Sequence, residues 1–379
     1  MNRILFVIIV VSFLDTFIQL PVITPYALEL GASHLLAGAI VAVYSFTNMI
    51  GNIFGGHWID RYGRKKMLIT GMLLASVILL FYPLAQTGWH LFFVRFFHGL
   101  AGGVLIPAAF AYVGDISKAK TRGRSMAFTG AGIGIAAIVG PALGGAMAAR
   151  SQVEHVFILV SVLFIICVFL IFKFIEESYV GTEKGKFNWR EFVPLLKHPL
   201  VLQASLAAFA LMISNGTLAF ALPLKVADMG LTSATTGMML SLYGIVAIII
   251  FLTPLNRIFD RFSSVILVVI GIFIIGSVHI MLNITSVYWL NMVLMLVYGV
   301  GFAFVFPSMN KLVSEASSKV DRGKAYGIFY AFFSAGVILG SYVSGLTTET
   351  LGLPFFSSAL TMMVVGVVLL FIGRKAKTA

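Results

Sequence analysis

Long runs of apolar residues, separated by short polar segments, constrain this 379-residue chain more than any other feature. A helix needs about 20 apolar residues to cross a bilayer. With Gly, Pro and charged clusters as boundaries, the sequence contains twelve such runs: residues 4–24, 36–57, 67–87, 91–113, 125–149, 155–175, 200–224, 234–256, 263–284, 286–309, 324–346 and 353–373. The runs are continuous and lack the alternating pattern of membrane β-strands. We therefore predict an all-α membrane protein with twelve transmembrane helices.

The charged residues exclude several classes of protein and predict the topology. They make up 11% of the chain, against about 25% in a soluble domain. This excludes an ordinary soluble enzyme, a disordered chain and a nucleic-acid binder. Of the 26 Lys and Arg residues, 23 fall in segments that twelve spans place on one side of the membrane. Because positively charged loops face the cytoplasm, both termini are predicted to be cytoplasmic, in a multi-pass protein of the cell membrane.

The two halves of the chain resemble each other at an offset of 200 residues. Five features recur at this offset: Gly99, Pro107, Arg122-Gly123, Gly140 and Gly145 return as Gly299, Pro307, Arg322-Gly323, Gly340 and Gly345. Because the offset spans six helices, both members of each pair lie on the same side of the membrane. Parallel six-helix repeats of this kind are typical of one large class of transporters. We therefore predict a six-helix bundle over residues 1–175, a cytoplasmic linker over 176–199 and a second six-helix bundle over 200–379.

Three motifs resemble those of a known family. Residues 56–66 read Gly-His-Trp-Ile-Asp-Arg-Tyr-Gly-Arg-Lys-Lys and are similar to the signature G-x-x-x-D-R-x-G-R-K between helices 2 and 3. Residues 95–99 resemble the helix 4 signature R-x-x-Q-G, with His98 in place of Gln, and residues 140–145 resemble the antiporter signature G-P-x-x-G-G of helix 5. Over its whole length the chain resembles the major facilitator superfamily, and within it the twelve-helix drug:proton antiporters.

The resemblance implies a conformational role for the first and third motifs, through Gly56, Asp60, Arg61, Gly63, Arg64, Gly140, Pro141, Gly144 and Gly145. Asp60 would meet the positive end of helix 11 near residues 323–324 and hold the cytoplasmic side closed in one state. The helix 5 glycines allow close packing, and Pro141 bends the helix, which predicts a seam against helix 8. Two alternatives stay open: the basic residues serve topology alone, and the glycines serve packing alone.

Asp15, Arg95 and His98 are ionisable residues well inside predicted spans, where a charge is costly and usually functional. Helix geometry places them roughly 13, 6 and 10 Å below the outer boundary of a core about 30 Å thick, so the three side chains could meet. A carboxylate at this depth prefers to be neutral unless a cation pairs with it. Asp15 is the predicted proton carrier, Arg95 would stabilise its charged form, and His98 would share the proton. Purely structural roles for each are the alternative.

Further polar residues on apolar helices are predicted to face the cavity and contact the cargo: Gln19, Tyr44, Asn48, Asn52, Asn215 and Tyr243. Tyr44, Asn48 and Asn52 share one helix face because they are spaced by four residues. The chain also contains 34 Phe and 16 Met, whose side chains could form an adaptable apolar cavity wall.

The predicted function is proton-coupled export of a small amphiphilic or drug-like compound by alternating access around a midplane site. The alternative is a dedicated exporter of one natural product, such as a metallophore, a lipid or a sugar. The sequence lacks H-E-x-x-H, G-x-S-x-G and G-x-x-x-x-G-K-[ST], so neither an enzyme nor ATP-driven transport is predicted. The expected partners are the cargo, protons and bilayer lipid. We expect no cofactor, metal or nucleic acid, and the resemblance implies a monomer.

Overall fold

A computed structural model describes residues 3–116, 122–178, 193–316 and 322–378. In these ranges the chain forms α-helices and two short 3-10 turns, at Tyr82–Leu84 and Pro254–Arg257, and no β-strand. The helices are α1 (Arg3–Ile18), α2 (Ile23–Glu29), α3 (His34–Tyr62), α4 (Arg64–Leu79), α5 (Gly88–Ile116), α6 (Arg122–Arg150), α7 (Glu154–Phe174), α8 (Val193–Lys197), α9 (Pro199–Asp228), α10 (Ser233–Leu252), α11 (Ile258–Arg261), α12 (Ser264–Ile284), α13 (Tyr288–Ala316), α14 (Arg322–Leu351) and α15 (Phe356–Thr378).

Ten helices in the described ranges are long and apolar enough to cross a membrane. The pair formed by α1 and α2 passes the same test with a bend of 45° between its members, and Phe356–Ile372 of α15 is a shorter apolar helix. Every predicted span therefore coincides with an apolar helix or with the bent pair. The all-α class is confirmed.

The first predicted span, residues 4–24, is a bent pair and not one continuous helix. α1 ends at Ile18, α2 begins at Ile23, and the turn between them contains Pro21. Proline lacks an N–H group and its ring clashes with the preceding helical turn, so the helix stops there. The Gln19 carbonyl accepts hydrogen bonds from the N–H groups of Val22 and Ile23 and stabilises the turn. The break therefore begins four residues after Asp15.

The chain divides into two compact units. The first contains Met1–Lys184 and Val226–Ser241, and the second contains Gly185–Lys225 and Leu242–Ala379. The boundaries predicted from the repeat, at 175 and 200, differ from this division and stay a prediction. Residues 226–241 join the first unit because the start of α10 packs on α6. Here Ser241 Oγ donates a hydrogen bond to the Ile138 carbonyl at 2.6 Å. The middle of the predicted linker, residues 179–192, lies outside the described residues.

Each unit contains the same close crossing of two helices. In the first unit, Gly99 of α5 lies against the backbone of α3, where a Cβ atom would collide with the Tyr44 carbonyl oxygen. In the second unit, a Cβ atom at Gly299 of α13 would lie 2.8 Å from the Tyr243 carbonyl oxygen of α10. Small residues let backbones approach this closely. The repeat in the sequence is therefore also a repeat of helix packing.

Candidate functional site

The three deep ionisable residues come together inside the first unit. Asp15 on α1 and His98 on α5 face each other, with Asp15 Oδ2 and His98 Nε2 3.2 Å apart. Arg95 lies one helical turn before His98, so both side chains project to the same side of α5. Asp15 is 1% exposed, His98 is 0% exposed and Arg95 is 6% exposed. The carboxylate is thus surrounded by protein and faces neither lipid nor solvent.

Gln19 connects Asp15 to Arg95. Its Nε2 donates to the Asp15 side chain at Oδ1 over 2.7 Å and to the Asp15 backbone carbonyl over 2.8 Å. Its Oε1 accepts from Arg95 Nη1 over 2.6 Å. Both the nitrogen and the oxygen of the Gln19 amide are therefore hydrogen-bonded within the cluster around Asp15. Arg95 was predicted to stabilise the charged form of Asp15, and in the structure it reaches the Asp15 side chain through Gln19.

Tyr44 of α3 completes the wall around the carboxylate. The Arg95 guanidinium lies 4.4 Å from the centre of the Tyr44 ring, a favourable cation–π distance. The Tyr44 hydroxyl lies 3.5 Å from Asp15 Oδ2, and the ring makes an edge contact with the His98 ring at 5.2 Å. Tyr44, like Gln19, was predicted to contact the cargo, and the structure places both beside the predicted proton carrier.

Tyr82 belongs to the cluster, although the sequence analysis did not identify it. Its hydroxyl shares a hydrogen bond of 2.9 Å with His98 Nδ1. Its ring stacks on Phe157 at 4.0 Å, and its carbonyl accepts a hydrogen bond from the Tyr26 hydroxyl at 2.8 Å. Two contacts therefore hold the side chain and a third holds the backbone. In the sequence, a tyrosine near the end of an apolar run looks like an ordinary interfacial aromatic residue.

The predicted polar stripe on α3 continues away from this cluster. Asn48 and Asn52 are partly exposed, and Asn52 Nδ2 donates to Asn48 Oδ1 over 3.0 Å. Gly102 of α5 lies opposite, where a Cβ atom would be 3.2 Å from the Tyr44 hydroxyl and 3.5 Å from Asn48 Nδ2. The two asparagines remain accessible to a ligand, whereas Tyr44 is buried.

The second unit contains the same arrangement without the charges. Asn215 occupies the position 200 residues after Asp15, and Tyr298 the position 200 after His98; Asn215 Nδ2 lies 3.4 Å from the Tyr298 hydroxyl. Tyr243 makes an edge contact with Tyr298 at 5.2 Å, as Tyr44 does with His98. Ser214 Oγ lies 2.9 Å from the Tyr298 hydroxyl and 3.1 Å from His279 Nε2. Neither Ser214 nor His279 was singled out by sequence.

The loop motif anchors the start of α4. Gly63 has φ +98°, and a Cβ atom there would collide with the Glu177 carboxylate. Glu177 Oε1 accepts hydrogen bonds from the N–H groups of Arg64 and Lys65 over 2.7 and 3.2 Å. Arg64 pairs with Asp115 at 3.0 Å. The position 200 residues after Gly63 is Ser263, whose own Oγ accepts from Ile266 at the start of α12. Glu177 therefore caps the N-terminus of α4, as Ser263 caps the N-terminus of α12.

The rest of the loop motif is only partly described. Arg61 is exposed, with its guanidinium 5.5 Å from the Tyr62 ring centre. Gly56 and Asp60 lie within α3, but their side-chain surroundings fall outside the described residues, as do those of residues 323–324. The predicted contact of Asp60 stays a prediction.

Replacing Glu177 with alanine is expected to destabilise the first unit by about 1 kcal/mol, because the first N–H groups of α4 lose their carboxylate acceptor. Thermal unfolding of the purified protein in detergent measures the change. Glu176→Ala is the matched control, since it removes the same charge from an exposed neighbour whose backbone carbonyl bonds Tyr112. Equal unfolding temperatures for the two variants would contradict the capping role.

The helix 5 glycines face two different neighbours. On α1, a Cβ atom at Gly140 would lie 2.8 Å from the Phe17 Cβ atom and 3.0 Å from the Ile18 nitrogen, and one at Gly144 would collide with the Ile18 carbonyl oxygen. A Cβ atom at Gly145 would collide with the carbonyl oxygen of Ser233, the first residue of α10. Pro141 lies within the continuous helix α6, and its own carbonyl contacts Gly237 of α10. The motif thus packs α6 closely against both α1 and the start of α10, the helix named in the prediction.

Comparisons with known proteins cover the whole chain. The family model of the Major Facilitator Superfamily matches residues 5–213 and 204–379. Multidrug resistance protein 1 of Bacillus subtilis (strain 168) is 24% identical over 361 residues, which are 93% of this chain and 91% of that protein. Quinolone resistance protein NorA of Staphylococcus aureus (strain MSSA476) is 25% identical over 391 residues, 99% of this chain and 97% of that protein.

Solved structures share the fold at low sequence identity. A POT family transporter in complex with 5-aminolevulinic acid has a TM-score of 0.80 at 14% identity, over 98% of this chain and 96% of that one. An inward-facing bacterial homologue of the human lysosomal transporter Spinster has a TM-score of 0.78 at 14% identity, over 97% and 94%. The homologues are transporters and not enzymes, and multidrug efflux proteins are among them. The chain is therefore a membrane transporter that belongs to the major facilitator superfamily.

Proposed function

We propose that this protein exports small amphiphilic or drug-like compounds in exchange for protons, by alternating access of its two halves. The observation that supports this most is the Asp15 carboxylate, enclosed in the first unit beside His98 and Gln19. An ionisable group enclosed at membrane depth is costly and usually serves transport. The names of the two relatives, one a multidrug resistance protein and one a quinolone resistance protein, support the class of cargo.

The Asp15 cluster can hold both charge states of the carboxyl group. The Gln19 amide donates to Oδ1, and the positive charge of Arg95 lies behind that amide. Hydrogen bonds and nearby cations stabilise a carboxylate, whereas burial favours the neutral acid. In the proposed cycle, Asp15 loses its proton when cargo binds and regains one when the cavity faces outside. One charge moving through 100 mV supplies about 2.3 kcal/mol, roughly a forty-fold concentration ratio.

Cargo contacts are proposed for the polar residues that remain accessible, namely Asn48, Asn52 and Asn215. Tyr44 and Tyr243 are buried and would support these contacts from behind. The loop and helix 5 motifs are proposed to control the change of conformation, with Asp60 and Arg61 on one side of the membrane. The distribution of Lys and Arg supports cytoplasmic termini in the cell membrane, and we propose that the protein works as a monomer.

Flux into liposomes tests the proposal. Purified protein is reconstituted in vesicles with an acidic lumen, and uptake is followed for a fluorescent quinolone, ethidium, a metallophore, a phospholipid and a sugar, together with proton release. We expect the quinolone or ethidium to accumulate as protons leave, and a protonophore to abolish the accumulation. Accumulation of one natural product alone would favour the dedicated exporter. Absence of gradient-driven flux for every probe contradicts proton-coupled export.

A further inference from the structure

The carboxylate of Asp15 is too enclosed to exchange a proton directly with solvent. Its Oδ1 accepts from Gln19, which is 2% exposed, and its Oδ2 faces His98, which is 0% exposed. An amide such as that of Gln19 does not carry protons at ordinary pH. The Tyr44 hydroxyl is a more distant neighbour of Oδ2, at 3.5 Å. Among the described side chains around Asp15, His98 is therefore the best placed to pass it a proton.

The His98 ring joins Asp15 to Tyr82. One ring nitrogen, Nε2, lies 3.2 Å from Asp15 Oδ2, and the other, Nδ1, lies 2.9 Å from the Tyr82 hydroxyl. In an imidazole, the partner of one nitrogen determines which nitrogen carries the proton. The charged or titratable side chains that contact this ring are Asp15, Tyr44 and Tyr82, and the Arg95 guanidinium packs over the neighbouring Tyr44 ring. Of these, Tyr82 is the one bonded to Nδ1.

Tyr82 is held in place by contacts that do not involve its hydroxyl. The residue begins a 3-10 turn, and its ring stacks on the Phe157 ring with the centroids 4.0 Å apart. The hydroxyl therefore has a fixed position from which it can hold the His98 ring. A residue whose own rotamer is fixed in this way can orient a neighbouring proton-transfer group.

We propose that Tyr82 is a positioning residue, which orients His98 so that protons reach and leave the enclosed Asp15 through the two nitrogens of that ring. This inference rests on the proposed proton coupling. When Asp15 is charged, Nε2–H donates to Oδ2 and the Tyr82 hydroxyl donates to Nδ1. When Asp15 is protonated, its O–H donates to Nε2 and Nδ1–H donates to the Tyr82 oxygen.

The two arrangements differ by one proton. Loading breaks the Nε2–H bond as the Asp15 O–H bond forms, while a proton that water supplies when the cavity faces outside forms the new Nδ1–H bond. The Tyr82 O–H bond stays intact and turns away from Nδ1. Unloading reverses each step and returns one proton to water. The imidazole carries one proton in both arrangements, so the charge of the cluster changes only at Asp15.

The second unit supports this assignment by contrast. The position 200 residues after His98 is Tyr298, and the position 200 after Tyr82 is Leu282, which is fully buried. These two positions hold a phenol and an aliphatic side chain, and the buried imidazole of the second unit, His279, stacks on the Tyr298 ring from a different position of α12. The pair of His98 and Tyr82 is thus present where the carboxylate is and absent at the equivalent positions.

Two readouts on Tyr82→Phe test the proposal, with Tyr26→Phe as the matched control. The control also removes a buried hydroxyl, one that bonds the Tyr82 carbonyl and does not reach His98. The first readout is the 15N spectrum of histidine-labelled protein in lipid nanodiscs at pH 8, with His98→Gln to assign the signal among the seven histidines. We expect His98 to show a single tautomer in the wild-type protein and in Tyr26→Phe. In Tyr82→Phe we expect a mixture of the two tautomers.

The second readout compares uptake driven by an acidic lumen with exchange of the same probe at equal pH. The probe is the quinolone or ethidium, whichever wild type accumulates. We expect Tyr82→Phe to lower driven uptake by about tenfold or more and to leave exchange within about twofold of wild type, because exchange needs no proton transfer. A defect in packing alone would lower both fluxes. Tyr26→Phe should lower neither by more than about twofold.

The outcomes separate this inference from the proposed function. Suppose that Tyr82→Phe keeps the wild-type tautomer of His98 and the wild-type driven uptake, while Asp15→Asn is inactive. This result would overturn the role of Tyr82 and leave proton coupling through Asp15 intact. Parallel loss of both fluxes in the two tyrosine variants would also overturn it. Undiminished uptake in Asp15→Asn would instead overturn proton coupling through Asp15.

Discussion

Replacing Asp15 with asparagine is expected to abolish proton-driven uptake and leave the protein folded. Asparagine has nearly the same shape, and its carbonyl oxygen still accepts the hydrogen bond from Gln19 that Asp15 accepts over 2.7 Å. The asparagine amide cannot take up or release a proton, so position 15 no longer changes its charge during the transport cycle. Groups that transfer protons contribute about 10²–10⁴-fold to rates, and we expect uptake to fall by at least about a hundredfold. Uptake into acidic-lumen liposomes and thermal unfolding measure the two effects.

Asp228→Asn is the matched control for this variant. Asp228 lies at the exposed end of α9, so the substitution makes the same chemical change away from the cluster. We expect it to retain uptake within about twofold, as is usual for surface substitutions. If Asp15→Asn lowers the unfolding temperature more than Asp228→Asn does, the carboxylate also stabilises the fold. Wild-type uptake by Asp15→Asn would remove the residue from the mechanism.

The repeat explains why one carboxylate carries the proposed proton chemistry. The positions 200 residues after Asp15 and His98 are Asn215 and Tyr298, and Asn215 Nδ2 lies 3.4 Å from the Tyr298 hydroxyl. Both pairs consist of hydrogen-bonding side chains. The first pair consists of a carboxyl group and an imidazole, whereas the second consists of an amide and a phenol. The two halves therefore share an architecture and differ in charge, which supports placing proton coupling in the first unit and neutral polar contacts in the second.

The fold could be predicted from the sequence because the bilayer leaves few options. A run of apolar residues must satisfy its own backbone, and a helix does so within the segment. For that reason all twelve runs correspond to helices or to the bent pair. The break after Ile18 could be anticipated from Pro21, but its position could not, because prolines in membrane helices often only bend them. In α6, Pro141 leaves the helix continuous.

The sequence predicts site residues only where they are of a type that is rare inside membrane spans. Asp15, Arg95 and His98 stand out because charges are expensive there, and the structure brings them together. Tyr82 and Glu177 do not stand out. Tyr82 is an aromatic residue at the end of a span and Glu177 is an acidic residue in a polar segment. Residues of these types are common at such positions. Their contacts join residues 16 and 113 positions apart, which a single sequence does not reveal.

Replacing Gly144 with alanine is expected to destabilise the first unit by about 3 kcal/mol, the upper end of what overpacking usually costs. A Cβ atom there would lie closer than 3.0 Å to the Ile18 carbonyl oxygen, a backbone atom that cannot turn aside. α1 would have to move away from α6, and Ile18 directly precedes Gln19. We therefore expect the displacement to disturb the bridge from Gln19 to Asp15 and to lower driven uptake as well. Thermal unfolding in detergent and liposome uptake measure both effects.

Gly132→Ala provides the control on the same pair of helices. A Cβ atom at Gly132 would lie 3.3–3.4 Å from side-chain atoms of Phe6, Ile9 and Val10 on α1, which can adjust by a few tenths of an ångström. Alanine also favours a helix over glycine by about 1 kcal/mol, so this variant should unfold at or above the wild-type temperature. The two substitutions are chemically identical and differ in what faces them. Equal effects would show that general helix propensity, and not close backbone contact between α6 and α1, determines the choice of glycine at position 144.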